Sequence, residues 1–376
     1  MKILAQISRV LVGVLFIISG FIKANDPLGF SYKLQEYFEV FNMPWLGSAA
    51  LVMAILICAG EIGLGVALLL GAKIKMTSWA LLLMILFFTW LTFYSWYFNK
   101  VTDCGCFGDA LHLEPFQSFM KDIVLLVLIF FIFMGRKYIT PVFGERPSTW
   151  LAWTGLVVSM AFSIYCYLHL PVIDFRPYAV EKNISEGMKL PPEAVTDSVV
   201  MLFIYEKDGK QIELTTSQLS IIDSTYKFVD RLDKMIRKGD QPPIHDFSIV
   251  SSDGTDITGD VLNTTAIFLL VAYDINRSDE KAQNKVNDFV SLAQQMGIEF
   301  IGLTSSSPKD VDVFRHEHNS MFDYYYTDGT TLKTMIRSNP GLMLLKKGTV
   351  TAMWHYNDFP TFDEVKTKYL GAGGSK

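Results

Sequence analysis

Five long apolar stretches fill the first half of the chain and limit its fold more than any other feature. Most of them are close to the roughly 20 residues that an α-helix needs to cross the hydrocarbon core of a bilayer. The segment Ala80–Leu91 is apolar on all sides, whereas a surface helix of a soluble protein would carry a polar face. We therefore predict five membrane-spanning helices, of which the fourth is the shortest. They are expected at about residues 4–22, 48–71, 76–98, 120–135 and 149–170.

Composition indicates that the chain is part membrane protein and part water-soluble protein. Hydrophobic residues make up 50% of the sequence, but charged residues at 19% are too many for a chain buried wholly in lipid. The net charge of −5 and the lack of a Lys/Arg run argue against nucleic-acid binding. No metal site is expected, because His316 and His318 lack the spacing that places two ligands on one helix face.

Lys and Arg residues in two short loops predict the orientation of the helices. Lys73 and Lys75 follow the second stretch, and Arg136, Lys137 and Arg146 follow the fourth. Because cytoplasmic loops carry an excess of such residues, we expect the N-terminus in the cytoplasm and the C-terminal half in the periplasm, with the helices in a bacterial inner membrane. The first stretch resembles a signal peptide in charge and length but lacks a good cleavage site, so we interpret it as a retained helix.

An amphipathic segment separates the first two stretches. Its apolar residues recur at helical spacing, and Lys33, Glu36 and Glu39 lie elsewhere on the helical wheel. Pro44 is expected to end this helix. Two interpretations carry about equal weight: an interfacial helix on the outer membrane face, or a loop helix packed on the bundle. The apolar positions are Phe30, Leu34, Tyr37, Phe38 and Phe41.

Two ionisable residues lie inside the predicted spans, where a charge costs on the order of 3 kcal/mol. Arg9 is near the cytoplasmic end of the first helix, and Glu61 is beyond the middle of the antiparallel second helix. A rise of about 1.5 Å per residue gives them similar depths. We predict an Arg9–Glu61 ion pair that joins the two helices, with a proton-relay role for Glu61 as the alternative. Gly60, Gly63 and Gly65 suit close approach of a neighbouring helix.

The loop between the third and fourth stretches reads Cys104-Gly105-Cys106-Phe107-Gly108-Asp109 and holds two of the four cysteines of the chain. A disulfide between Cys104 and Cys106 would close a small, strained ring, and strain raises the reduction potential. Three interpretations compete: a redox-active dithiol, a structural bridge and a soft-metal site. The metal site ranks lowest because only His112 is nearby as a further ligand. The redox interpretation ranks first because so short a ring gains little from loop closure.

The other two cysteines lie in predicted membrane helices. Cys58 and Cys166 are typical of buried apolar positions. Cys166 is expected near the outer leaflet, where it would be a candidate resolving thiol for the loop pair. Charges near the loop leave the direction of the thiol pKa shift open, because Asp109 would raise the pKa and Lys121 would lower it.

Residues of the first two helices, and of the segment between them, carry a family resemblance. The cysteine loop, which is followed by Lys121 and Asp122 at the mouth of the fourth helix, carries a second one. The first set resembles the DoxX superfamily of small membrane bundles, and the CxCFGD loop resembles the MauE branch of that superfamily. The resemblance covers residues 1–140. It implies a four-helix bundle with periplasmic thiol chemistry, in which MauE-like proteins are linked to disulfide formation in a partner enzyme. The set is Arg9, Gly13, Phe16, Ser19, Gly20, Lys23, Asp26, Pro27, Phe30 and Glu61.

The remaining sequence divides into three parts. The fifth helix falls within residues 141–172 and departs from the four-helix pattern of the family. Residues 173–240 are expected to form a periplasmic connector, with a hairpin around 199–214 followed by a helix at 217–237. Residues 241–376 alternate between strand and helix patterns, with largely apolar runs that suit central parallel strands.

The last part resembles the thioredoxin-like fold of peroxiredoxins and membrane-tethered reductases, on its element order and on Asn339-Pro340 immediately before a strand. The resemblance implies that Pro340 is cis and faces a redox loop. That loop would be residues 273–280, but the sequence has no cysteine after Cys166. Thiol exchange requires a thiolate, so we interpret this domain as a catalytically inactive docking domain. Ser278 is expected to cap the helix that begins at Asp279.

The predicted fold class is therefore an α-helical membrane bundle, with four DoxX-like helices plus a fifth, followed by an α/β thioredoxin-like soluble domain. The leading functional hypothesis is an inner-membrane protein whose Cys104/Cys106 dithiol exchanges electrons with a periplasmic or membrane protein partner docked by that domain. A quinone is a candidate electron acceptor by analogy with other disulfide-forming bundles. The alternative is a non-enzymatic, membrane-anchored binding or assembly module of an envelope complex. A carrier of lipids or small hydrophobic molecules has weaker support.

Overall fold

A computed structural model describes residues 1–371 except 102–104, 106, 112, 192, 195–197, 208–209, 224 and 238. Its N-terminal part is a helical bundle in which five helices are long and apolar enough to cross a membrane. The helices of this part are α1 (Lys2–Asn25), α2 (Pro27–Val40), α3 (Ala50–Leu70), α4 (Ile74–Phe98), α5 (Pro115–Gly135) and α6 (Glu145–Leu168). All of them except α2 are candidate spans, so the prediction of a five-helix membrane region is confirmed.

The fourth span is longer than its apolar run predicted. The helix α5 begins at Pro115, the position where a missing backbone N–H costs nothing, and Glu114 and Gln117 form a capping box before it. With the short helical turn that follows α5, the candidate span covers Pro115–Tyr138, or 24 residues. Local capping therefore extends the helix beyond the hydrophobic stretch.

The amphipathic helix α2 packs on the bundle. Asp26 caps it by accepting a hydrogen bond from the backbone N–H of Gly29 at 2.8 Å, and Pro27 is its first residue. Phe30, Leu34 and Phe38 are buried in a cluster with residues of α1 and α3. The structure thus favours the second of the two interpretations of this segment.

Three antiparallel strands follow the bundle in the order β2-β1-β3, after the one-turn helix α7 (Ile184–Gly187). They are β1 (Ser198–Lys207), β2 (Lys210–Thr215) and β3 (Lys227–Arg237). The prediction of a helix over 217–237 is wrong, since only a 3-10 turn at Thr216–Ile221 precedes β3. The apolar spacing of Phe228 and Leu232 fits a helix, but pairing of β3 along most of β1 overrides that local pattern.

The soluble domain contains a five-stranded mixed sheet with the order β6-β5-β4-β7-β8. β4, β5 and β6 are parallel, while β7 and β8 run antiparallel to their neighbours. The parallel pairing of β4 and β5 confirms the α/β domain with central parallel strands that the sequence predicted. The strands are β4 (Ile267–Val271), β5 (Glu299–Thr304), β6 (Tyr324–Tyr326), β7 (Gly341–Lys346) and β8 (Thr349–His355).

Helices cover both faces of this sheet. Successive residues of the wholly buried β4 point to opposite faces, so that Phe268 and Leu270 belong to one apolar cluster and Ile267 and Leu269 to the other. The chain in this domain forms α8 (Thr258–Asn263), α9 (Glu280–Gln295), α10 (Pro308–His318), α11 (Gly329–Met335) and α12 (Phe362–Val365).

The cap of α9 differs from the sequence prediction. The helix begins at Glu280, and Asp279 rather than Ser278 is the capping residue, with its side chain accepting the backbone N–H of Ala282 at 3.2 Å. A carboxylate at this position also interacts favourably with the positive end of the helix dipole, which the Ser278 hydroxyl would not do.

Candidate functional site

A buried arginine joins the soluble domain to the bundle. Nε of Arg337 donates to Oδ2 of Asp26 at 2.7 Å, and Nη2 donates to Oδ2 of Asp109 at 2.8 Å. Asp26 caps α2, while Asp109 belongs to the loop between α4 and α5. Gly29 makes this approach feasible, because a Cβ atom there would stand 2.7 Å from Nη2 of Arg337. One side chain thus holds three separate segments together.

The two carboxylates keep Arg337 charged at this buried position. Only 6% of its side chain is exposed. Burial lowers the pKa of the guanidinium, but Asp26 and Asp109 outweigh it, and the net pKa of Arg337 lies above its ordinary value. The arrangement has the charge pairing that a buried cation requires.

Two tyrosines meet across the same junction. The hydroxyl of Tyr32 on α2 donates to that of Tyr273, which follows β4, at 3.1 Å. Nζ of Lys333 lies 5.1 Å from the ring centroid of Tyr32 and 5.9 Å from that of Tyr273. Burial raises the pKa of both phenols, so both are neutral hydrogen-bonding groups.

The segment 273–280 lies beside the proline loop in the soluble domain. The Asn339–Pro340 peptide bond, predicted to be cis, is cis in the structure. Nδ2 of Asn339 donates to the carbonyl of Asp274 at 2.8 Å, and the backbone N–H of Asp279 donates to the carbonyl of Asn339 at 3.2 Å. The position of the expected redox loop is thus occupied by a segment that contains no cysteine.

A cleft of about 520 Å³ opens where these parts meet. Its walls come from both halves of the chain, and its volume is typical of ligand-binding pockets. The residues that line it include Tyr32, Tyr273, Lys333, Arg337 and Asn339. The cleft therefore adjoins both the cysteine-free loop and the arginine that holds Asp109.

The predicted catalytic residues Cys104 and Cys106 lie outside the described residues, but several of their neighbours are placed. Gly105 has a φ of +64°, and a Cβ atom there would stand 3.0 Å from Cγ of Lys33 on α2. The backbone N–H of Gly108 donates to the carbonyl of Gly105 at 3.1 Å. Gly105 therefore lies against α2, and Asp109 lies against the soluble domain through its pair with Arg337.

The predicted Arg9–Glu61 pair is wrong. Nζ of Lys23 lies 2.5 Å from Oε1 of Glu61, and both side chains are almost fully buried. Arg9 instead donates to the carbonyls of Leu68 and Leu69 at 3.0 Å and 2.6 Å. The last carbonyls of a helix lack intrahelical partners, so the end of α3 offers Arg9 acceptors that an estimate of depth alone does not consider.

Lys121 and Asp122, both singled out in the sequence, form a second polar group in the bundle. Nζ of Lys121 lies 3.1 Å from Oδ1 of Asp122, and Thr92 donates to Oδ2 of Asp122 at 2.9 Å. This group and the Lys23–Glu61 pair line one narrow cavity of about 60 Å³. Phe107, the residue after Cys106, also lines it, and its ring centroid lies 5.1 Å from Nζ of Lys121. The cavity therefore reaches the cysteine loop from inside the bundle.

The remaining cysteines are poorly placed for chemistry. Cys58 and Cys166 are free thiols, and their side chains are 0% and 2% exposed. Cys166, the candidate resolving thiol, is thus shielded from solvent within the described part of the chain. In the described part of the chain, no group of three or more His, Cys, Asp or Glu side chains is arranged to hold a metal ion.

Sequence reasoning missed the groups that join the two halves. Arg337 stands two residues before Asn339-Pro340, and Tyr273 is the first residue after the buried run that ends at Ala272. Their positions beside the proline and at the carboxyl end of a central strand were the only indication in the sequence that these residues are functional. Their partners could not be identified, because both contacts join residues more than 200 positions apart.

Solved structures similar to the C-terminal region include two solution structures. A thiol:disulfide interchange protein from Bacteroides sp. has 12% identity over 34% of this chain and 87% of that chain, with a TM-score of 0.28. A candidate protein disulfide isomerase from Bacteroides thetaiotaomicron has 14% identity over 33% of this chain and 84% of that chain, also with a TM-score of 0.28. No curated protein matches the chain.

Two family descriptions match parts of the sequence. Residues 199–238, which include most of the three-stranded sheet, match a domain of unknown function, DUF8463. Residues 1–135 match the family of methylamine utilisation protein MauE, so the membrane half of this chain is similar to that family.

Proposed function

We propose that this protein is a thiol–disulfide exchange protein of a bacterial inner membrane. In this proposal the Cys104/Cys106 pair on the bundle exchanges electrons with a periplasmic protein partner, and the thioredoxin-like domain docks that partner. The domain has lost the thiols of its own loop, and the bundle supplies them instead.

The Asp109–Arg337 ion pair is the observation that carries the proposal. It lies three residues after Cys106 on one side and three residues before Pro340 on the other, with 2.8 Å between the paired atoms. Asp109 is therefore held next to the face of the soluble domain on which segment 273–280 and the proline loop stand, which supports the approach of the cysteine pair to that face. A partner bound in the cleft would meet both the docking surface and the thiol pair.

The exchange consists of two thiolate attacks. A thiolate of the partner attacks one sulfur of the Cys104–Cys106 disulfide, and the other sulfur leaves as a thiolate. The second thiol of the partner, once deprotonated, then attacks the mixed disulfide and releases the reduced loop. The partner gains a disulfide, the loop gains two thiols, and two electrons pass from the partner to the loop.

A membrane quinone is the acceptor that we propose for reoxidation of the loop. The dithiol and the quinone would give a disulfide and a quinol, with two electrons and two protons transferred. The cavity that Phe107 shares with Lys23, Glu61, Lys121 and Asp122 supports this step, because it connects the flank of the loop to the interior of the bundle. Its charged side chains offer hydrogen bonds that a quinone oxygen or an intervening water molecule could use.

The proposed orientation places the soluble domain in the periplasm. Lys73, Arg136, Lys137 and Arg146 all lie at the end of the bundle opposite that domain, as the positive-inside rule requires of a cytoplasmic face. A periplasmic location would also permit the loop cysteines to be oxidised.

The non-enzymatic alternative rests on a different observation. Within the described residues, β1, β2 and β3 make their main contacts with one another and with the adjoining 3-10 turn. A sheet that is so weakly attached to the rest of the chain is suited to assembly with another protein. In this second proposal the chain is a membrane-anchored module of an envelope complex, and the loop cysteines serve structure alone.

The decisive experiment uses the full-length Cys58→Ser/Cys166→Ser variant, in which the loop pair supplies the only thiols. The protein is equilibrated with glutathione buffers of graded potential, alkylated under denaturing conditions and weighed intact. We expect no alkyl groups at the oxidising end, two at the reducing end, and a single two-electron transition between them. An impermeant maleimide applied to intact cells after gentle reduction should label the same pair.

The matched control is the Cys104→Ser/Cys106→Ser variant with Cys58 and Cys166 retained. It should show no two-electron transition, because its thiols are buried in separate helices. Two thiols that stay reduced in every glutathione buffer would refute the exchange function and leave the assembly module as the better account.

A further inference from the structure

A groove runs along the start of α6, at the end of the bundle farthest from the soluble domain. Its volume is about 680 Å³. The residues that line it include Lys73, Glu145, Arg146, Trp150, Trp153 and Val157. Arg146, Trp150, Trp153 and Val157 recur every three or four positions of α6 and therefore share one helix face, while Lys73 comes from the turn between α3 and α4. Two separate elements thus form the groove, which lies apart from the site described above.

The lining changes in character along the helix. Arg146 lies at the start of α6 beside Lys73, and Trp150 and Trp153 follow along the helix. Val157 lies about 16 Å farther along the helix axis than Arg146. The two indoles are 75% and 56% exposed, and Val157 is 56% exposed. Charged, aromatic and aliphatic groups in this order match the headgroup, interface and hydrocarbon layers of one bilayer leaflet.

The charge of the groove selects an anion. Nζ of Lys73 pairs with Oε1 of Glu145 at 2.8 Å. Among the residues that the structure describes, Glu145 is the one carboxylate in the groove lining, and it pairs with Lys73 rather than with Arg146. The groove therefore retains one uncompensated guanidinium, a group whose fork of N–H donors fits phosphate oxygens.

We propose that this groove binds one anionic phospholipid. Arg146 and Lys73 hold its phosphate, Trp150 contacts the glycerol region, and an acyl chain lies along Trp153 and Val157. The helix α6 is the least enclosed of the five spans. Its most apolar 18-residue stretch is 17% buried, whereas the corresponding stretches of the other spans are 33% to 39% buried. A bound lipid would cover part of this surface beside the contact of α6 with α3, where Gly155 faces Val66.

The test measures lipid retained by the purified full-length protein in detergent, using native mass spectrometry. The probes are dioleoyl phosphatidylglycerol, dioleoyl phosphatidylcholine and inorganic phosphate. We expect the protein to retain one phosphatidylglycerol and markedly less phosphatidylcholine, and we expect excess inorganic phosphate not to displace the lipid. Arg146→Gln should weaken retention about tenfold, because a charged hydrogen bond to phosphate is lost.

Arg136→Gln is the matched control. Arg136 lies at the same end of the bundle but outside the groove lining, with its guanidinium 4.8 Å from the ring centroid of Phe133. It should retain the lipid as the unmodified protein does, and Trp153→Ala should lose it without loss of the charge. Equal retention by the Arg136 and Arg146 variants would overturn the proposal. Equal binding of phosphatidylcholine would reduce the groove to ordinary lipid contact, and displacement by phosphate would make it a free-anion site.

Discussion

The carboxylate of Asp109 accepts a hydrogen bond from Nη2 of Arg337 at 2.8 Å, and this contact ties the cysteine loop of the bundle to the segment before the cis-proline. The same guanidinium binds Asp26 at the start of α2. The membrane half and the soluble half therefore meet through a shared cation rather than through apolar packing alone. This relationship makes the junction sensitive to one substitution.

Arg337→Met should loosen the junction by at least about 3 kcal/mol, because it leaves two partly buried carboxylates without their cation. Asp109→Asn should cost less, since Arg337 keeps its bond to Asp26. Hydrogen exchange of α2 and of the segment before Pro340 in the full-length protein would report the change. Arg315→Gln is the control, because the Arg315–Asp323 pair is exposed and such pairs contribute about 0 to 1 kcal/mol. Equal effects of the two substitutions would contradict a special role for Arg337.

His355 should make the soluble domain less stable in acid. Burial lowers the pKa of His355 from 6.5 to about 4, aided by the facing His169 and opposed by Asp358 and Asp279. Its neutral ring accepts the backbone N–H of Asn357 at 3.2 Å, a bond that protonation of Nδ1 would remove. Between pH 6.5 and 4 the unfolded chain binds the extra proton, so stability falls as the pH falls, by up to about 3 kcal/mol.

The measurement for His355 is the difference in unfolding free energy between the unmodified protein and His355→Gln at several pH values from 7 to 4. Contributions common to both proteins cancel in this difference, which isolates the histidine. His245→Gln is the control, because His245 is half-exposed beside Asp246. A difference that stays constant over this pH range would show that His355 is protonated equally in both states.

The elements were easier to predict than their contacts. The spans follow from runs of apolar residues, and the buried strand β4 follows from a short apolar run, since both signals are local. The strand β3 was missed because its partner β1 determines its conformation and its own sequence does not. Arg337 could not be assigned from sequence for a similar reason: its two carboxylates lie 311 and 228 positions away.

The pairing within the membrane shows the same limit on a smaller scale. Arg9 and Glu61 have similar predicted depths in the membrane, and on that basis they were expected to pair. Depth alone does not show which backbone carbonyls lack a helical partner, or how far a flexible lysine side chain reaches. Lys23 begins near the end of α1 and extends to Glu61, with its ammonium 5.3 Å and 5.2 Å from the rings of Phe30 and Phe88. Side-chain reach, and not helix position alone, determined the partner.

The Lys23–Glu61 pair should show strong coupling. Lys23→Met or Glu61→Gln alone should destabilise the bundle by about 3 to 5 kcal/mol. The first leaves the buried Glu61 carboxylate without its cation, and the second leaves the buried Lys23 ammonium without its anion. The double variant should recover most of that loss, since no charge then remains to be paired. Unfolding in mixed detergent micelles would measure the cycle. Arg9→Gln combined with Glu61→Gln serves as the control and should give no recovery, and a recovery there would restore the pairing that depth predicted.

Close packing of α1 against α3 should depend on Gly65 but not on Gly60. A Cβ atom at Gly65 would stand 2.8 Å from the carbonyl oxygen of Gly13 and 3.2 Å from the backbone nitrogen of Ile17, so α1 itself would have to move. At Gly60, among the described atoms outside the backbone of α3 itself, the one that a Cβ atom would meet within 4 Å is the flexible end of Met84, at 3.6 Å. Gly65→Ala should therefore destabilise the bundle by about 1 to 3 kcal/mol, the usual cost of overpacking.

Gly60→Ala should be neutral or slightly stabilising in the same experiment, because alanine favours the helix over glycine by up to about 1 kcal/mol. Each variant adds one methyl group to the same helix, so both gain the same helix propensity. A difference between them therefore reports the contact of the added methyl group with the backbone of α1. Thermal unfolding in detergent and the yield of folded protein would both report it. Equal destabilisation by the two substitutions would mean that α1 and α3 are not in backbone contact at Gly65. The Lys23–Glu61 pair, which spans the same interface four residues away from Gly65, would then lack the short separation that it needs.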